Sequence, residues 1–138
     1  MPQHAALPLR HVLTLPAEPG AVRMTRQTAE MTFTEWGISP SHPTVGPALL
    51  ILSELVTNTV RHAAVLSPTV TITFAGSGHT LAFGVHDRHP HQPPLYGAVT
   101  HSGGLGTVIE LTVGLGGTAV VRADADGQGK SIWITLPL

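Results

Sequence analysis

The chain contains no cysteine, which excludes disulfides, thiolate metal sites and cysteine nucleophiles. Basic residues are also scarce: seven against eight acidic ones, for a formal net charge of -1. A nucleic-acid partner requires a basic stripe, which this composition does not supply. No stretch reaches the ~20 consecutive apolar residues of a membrane-spanning helix. Nor does a basic-then-apolar leader open the sequence, so the expected setting is the cytoplasm, with no membrane contact. What is present is a chain of 138 residues, 42% hydrophobic, with a positive mean hydropathy. That is enough for one domain with a real core, and it argues against disorder.

The most informative stretch runs from Thr44 to Ala63, TVGPALLILSELVTNTVRHA. Thr44 or Ser41 can cap a helix here, and Pro47 falls in the first turn, where its missing N–H costs nothing. At about 100° per residue, Val45, Leu49, Leu52, Val56, Val60 and Ala63 share one side. Glu54, Asn58 and His62 are spaced by four, each about 40° from the last, and form a line expected opposite that stripe. Ile51 lies among them in angle, so their side is not a plain water-facing surface. A carboxylate, an amide oxygen and an imidazole would thus project from a rigid element into partly apolar space.

The rest of the chain falls into alternating elements. Residues 1–9 read as a flexible arm and 10–138 as the domain. A first strand is predicted over 11–15, and a helix over 18–36 that Gly37 stops. Residues 38–43 are a linker. Thr69–Ala75 and Thr80–Asp87 read as an antiparallel pair around Gly76-Ser77-Gly78. Residues 88–104, rich in proline and glycine, form a loop of a length that usually carries function. A short helix over 105–115, ended by Gly116-Gly117, precedes a last hairpin of 118–123 and 130–136 about an Asp124–Gly129 turn. This order predicts an α+β fold, a two-layer α/β sandwich in which a mixed sheet carries helices on one face.

Four stretches together resemble the histidine-kinase-like (GHKL-type) ATPase domain, the Bergerat-type ATP-binding fold, and within it the anti-sigma-factor serine/threonine kinases of the SpoIIAB and RsbW type. Ser53–Ala63 is similar to that family's E-x-x-x-N-x-x-x-H helix. Val85-His86-Asp87-Arg88 is similar to its strand-end aspartate. Ser102-Gly103-Gly104-Leu105-Gly106 is similar to its glycine box, and Gly129–Ile134 to its G-K-T-V-W ending. The resemblance implies ATP and Mg²⁺ as cofactors. Asn58 would hold the metal, Glu54 would act as the general base, and Asp87 would accept the exocyclic amine of adenine. His62, Gly103, Gly104, Leu105, Gly106 and Thr107 would complete the nucleotide site, with amides at a helix start facing the phosphates. The loop of 88–104 would be the lid. The implied activity is γ-phosphoryl transfer to a serine or threonine of a small partner protein, an anti-anti-sigma-like substrate, or sequestration of a sigma factor. Homodimerisation is carried over in the same way.

In two places the sequence departs from the pattern. The family's aspartate is normally followed by glycines, as D-x-G-x-G, whereas here the run is Asp87-Arg88-His89-Pro90-His91-Gln92-Pro93-Pro94. Ser102 and Gly103 stand where many kinase members carry an arginine, and only His101 is near. This keeps open a nucleotide-binding module without kinase turnover. A third reading, a histidine-based metal site, draws on nine histidines and on the closeness of His86, His89 and His91.

Overall fold

The computed structural model describes residues 7–63, 65–89 and 105–138. The arm at 1–6, most of the predicted lid, His91 and the glycines Gly103 and Gly104 lie outside the described residues. Eight elements follow in order: β1 (Leu9–Pro16), α1 (Gly20–Glu35), α2 (Val45–His62), β2 (Thr69–Gly76), β3 (Thr80–Asp87), α3 (Leu105–Gly114), β4 (Thr118–Ala123) and β5 (Lys130–Pro137). Each matches a predicted element to within two residues at either end.

The predicted α+β sandwich is what forms: one five-stranded sheet in the order β1-β2-β3-β5-β4, with α1, α2 and α3 packed side by side. The sheet is antiparallel at every pairing, rather than mixed. The helices explain this. α1 and α2 run in opposite senses between β1 and β2, so they return the chain to the end of the sheet it left. Pro16 therefore pairs with Thr69. The single helix α3 does make β3 and β4 point the same way, since Asp87 and Ala123 are both partnered by Lys130. β5 lies between them and turns a parallel relation into two antiparallel ones.

Alternation along the strands builds the core. Val70, Ile72 and Phe74 of β2, Leu81, Phe83 and Val85 of β3, and Ile132, Ile134 and Leu136 of β5 all face the helices and are buried. Phe33 of α1 meets Phe74 edge-on, with ring centroids 6.0 Å apart. On the outer face, the Trp133 ring lies across Gly84; a Cβ added there would come within 2.5 Å of the indole. Gly37, at φ 80°, ends α1 as expected, because the left-handed conformation strains any residue with a side chain.

α2 differs from expectation in two details. Thr44 is its N-cap residue but makes no side-chain cap. Its hydroxyl bonds the Pro137 carbonyl at 3.4 Å, while Ser41 pairs with Ser39 at 2.9 Å. The buried positions are Val45, Ala48, Leu49, Ile51, Leu52, Leu55, Val56 and Thr59, an arc of about 160° at helical spacing. Glu54 and Asn58 lie just beyond one edge of that arc rather than opposite it, and His62 falls within its angular span but is exposed because it sits in the last turn. The centre of the exposed side belongs to Leu50, Thr57 and Arg61. The arc is wide because α2 is flanked by α1 and α3 as well as seated on β3.

Candidate functional site

Glu54 and Asn58 are half-buried on α2, one turn apart, and His62 is exposed in its last turn. Among the described residues, neither Glu54 nor Asn58 has its side chain engaged in a hydrogen bond. Next to Asn58, the inward-facing Thr59 donates its hydroxyl to Asp87 Oδ2 at 3.0 Å. The structure thus brings the predicted strand-end aspartate onto the predicted helix through a residue the sequence reading passed over.

Asp87 is the hub of this end of the sheet. It is buried at the close of β3, where the alternation of Leu81, Phe83 and Val85 carries it inward. Lys130, its register partner on β5, donates from Nζ to Oδ1 at 2.7 Å. The His89 backbone N–H donates to the same oxygen at 2.9 Å. Lys130 Nζ also reaches the His89 carbonyl at 3.3 Å. One carboxylate therefore joins α2, β5 and the chain leaving β3. Lys130 was missed as a partner, although its signal was legible. Extending the inward positions Ile132, Ile134 and Leu136 back by one step lands on Lys130, as extending β3 forward lands on Asp87.

The next residue, Arg88, points outward. Its guanidinium donates to Asp124 at 3.0 Å and to Asp126 at 3.1 Å, and the His86 ring lies 2.8 Å from Asp124. The Gln128 backbone N–H, and then Arg88, hold the Asp126 carboxyl below its ordinary value. The hydrogen bond to Asp126 pushes the Arg88 guanidinium up. The Arg88 backbone N–H is anchored on Ser67 Oγ at 2.8 Å.

Of the predicted phosphate-facing residues, Leu105, Gly106 and Thr107 open α3, with Leu105 buried and Thr107 exposed. Gly103 and Gly104 fall outside the described residues. Among the described residues no three histidine, aspartate or glutamate side chains are gathered as a metal site would need. No helix of the described residues is long and apolar enough to cross a membrane.

No family model matches the chain, and no curated protein does. Solved structures do. One holds the RsbU and RsbW domains of Rv1364c from Mycobacterium tuberculosis, at a TM-score of 0.67 and 20% identity, over 94% of this chain and 33% of that one. Another is the histidine kinase domain of the blue-light activated histidine kinase EL346 from Erythrobacter litoralis, at 0.58 and 22%, over 90% of this chain and 62% of that one. The chain thus spans a third of the first solved chain and under two-thirds of the second. At these identities the likeness is one of fold: this chain has the histidine-kinase-like (GHKL-type) ATPase fold.

Proposed function

We propose that this chain is an ATP-binding regulatory protein that transfers the γ-phosphoryl group to a serine or threonine of a small partner protein, in the manner of an anti-sigma-factor kinase. The observation that carries this reading is the junction of α2 with the end of β3. It sets a buried carboxylate beside a helix whose rim offers an amide oxygen and a second carboxylate.

Those residues fit a magnesium nucleotide. Mg²⁺ takes oxygen ligands and leaves most of its shell to phosphates and water. The Asn58 side chain, half-buried and unengaged among the described residues, can offer one such oxygen. Glu54 lies about 6 Å along the helix from it, and its free carboxylate can take the proton of an attacking hydroxyl. Asp87 can accept the exocyclic amine of a purine. Gly103, Gly104, Leu105, Gly106 and Thr107 can turn amides toward phosphate at the start of α3; His62, at the exposed end of α2, would act at the margin. When bound, the magnesium nucleotide supplies the transferable group and the neutralisation of its charge. A small serine- or threonine-bearing protein, a sigma factor and a second copy of the chain are the partners this reading calls for.

A second reading, a nucleotide-dependent binding switch without turnover, is favoured by one observation. Between Arg88 and Arg122 the sequence has no lysine or arginine, so that whole segment brings no fixed cation to the γ-phosphate. Calorimetry with MgATP tests both readings. Binding is expected, and Asn58→Ala should remove its Mg²⁺-dependent part. Absence of ATP binding to the intact chain would end both. Labelled ATP incubated with a lysate of the source cells separates them: kinase activity places label on a small protein, and Glu54→Ala abolishes it while ATP binding persists.

A further inference from the structure

Lys130 is a buried cation to which the mechanism above gives no task. A carboxylate has about four acceptor positions, two on each oxygen. On Asp87, Oδ1 accepts the Lys130 ammonium at 2.7 Å and the His89 N–H at 2.9 Å, so both of its positions are filled. Oδ2 accepts the Thr59 hydroxyl at 3.0 Å. Among the described residues one position remains, on Oδ2. The Lys130 and Asp87 side chains are only 9% and 6% exposed, so water does not readily replace this arrangement.

The two purines differ in what they ask of such a group. Adenine offers one exocyclic N–H donor beside a ring nitrogen that accepts. Guanine offers two donors side by side, N1–H and the 2-amine, and a carboxylate with both oxygens free grips them as a fork. A carboxylate with one oxygen saturated cannot do so.

We propose that Lys130 sets the purine specificity of this site: by filling Oδ1, it makes Asp87 a single-point acceptor that takes adenine and refuses guanine's paired donors. This rests on the nucleotide reading above and goes further, because it assigns the discrimination to a residue on β5 rather than to Asp87 alone. Lys130 is a positioning residue here. It acts on the base through the carboxylate it holds.

The test is calorimetric binding of the Mg²⁺ complexes of ATP, GTP and inosine triphosphate, which keeps N1–H but lacks the 2-amine. In the wild-type chain, GTP and inosine triphosphate should be equally poor beside ATP. In Lys130→Met the affinity for GTP relative to ATP should rise about ten-fold or more, with a smaller gain for inosine triphosphate. A lysine that merely stiffens the sheet would lower all three affinities together. The proposal is overturned if wild-type chain binds GTP as tightly as ATP, or about ten-fold tighter than inosine triphosphate. It is also overturned if Lys130→Met folds and keeps the wild-type ratio. Should that variant not fold, the wild-type comparison decides alone. A wild-type chain that binds no ATP instead removes the nucleotide reading itself.

Discussion

Asp87 and Arg88 are consecutive residues at the end of β3, and the pleat sends one inward and the other outward. Each makes an ion pair at short range: 2.7 Å from Asp87 to Lys130, and 3.0 and 3.1 Å from Arg88 to Asp124 and Asp126. Distance does not separate them; surroundings do. The inner pair is 6% and 9% exposed, whereas Arg88 is 44% exposed and Asp126 55%. Outside, water competes for every charge, and a pair contributes little. Inside, neither charge has another ion-pair partner among the described residues, and stripping one away leaves the other with only neutral hydrogen-bond partners in a poorly hydrated site. Two bonds of nearly equal length therefore differ widely in what their loss does to the fold.

This contrast can be broken by experiment. The largest effect should come from Lys130→Met, which leaves the Asp87 charge buried and unpaired and is expected to cost about 3–5 kcal/mol in urea denaturation. Adding Asp87→Asn to it should restore much of that loss. A single variant as stable as wild type would show that burial is not what distinguishes the two pairs. Thr25 sharpens the same point from the opposite direction. Its hydroxyl is buried on α1 and has no hydrogen-bond partner among the described residues, so Thr25→Val should stabilise the fold by about 1 kcal/mol. Arg88→Ala should shift the urea midpoint too little to resolve. The smallest expected effect is at the acid end. The Asp126 carboxyl is held below its ordinary 3.8, so its contribution is complete above that value and fades as the pH falls through the lowered one. Arg88→Ala should remove only part of this acid limb, because the Gln128 N–H is the larger cause.

Most of the architecture was legible in the sequence because its signals are local. Alternation in Thr69–Ala75 and Thr80–Asp87, the Gly37 stop and the Asp124–Gly129 turn each depend on a few adjacent residues. The direction of the two hairpin pairings was legible in the same way; that of β1 with β2 and of β3 with β5 was not, because it depends on how the helices return the chain and on where β5 inserts. The line of Glu54, Asn58 and His62 was visible as spacing, but its place at the rim of the buried arc follows from α2 having neighbours on both flanks. Lys130 was hidden for a different reason. A lysine reads as a surface residue until strand register sets an aspartate opposite it, and register is a property of two distant segments.

The insertion of β5 between β3 and β4 bears on how the polypeptide emerges during synthesis. β1, β2 and β3 can assemble as soon as they are made, but β4 has no neighbour to bond with until the eight residues of β5 follow. Until then β3 presents an open edge and α3 has only part of its seat. A nascent chain whose β5 has not yet emerged holds a half-built sheet with an adhesive margin, a state exposed to aggregation or chaperone capture.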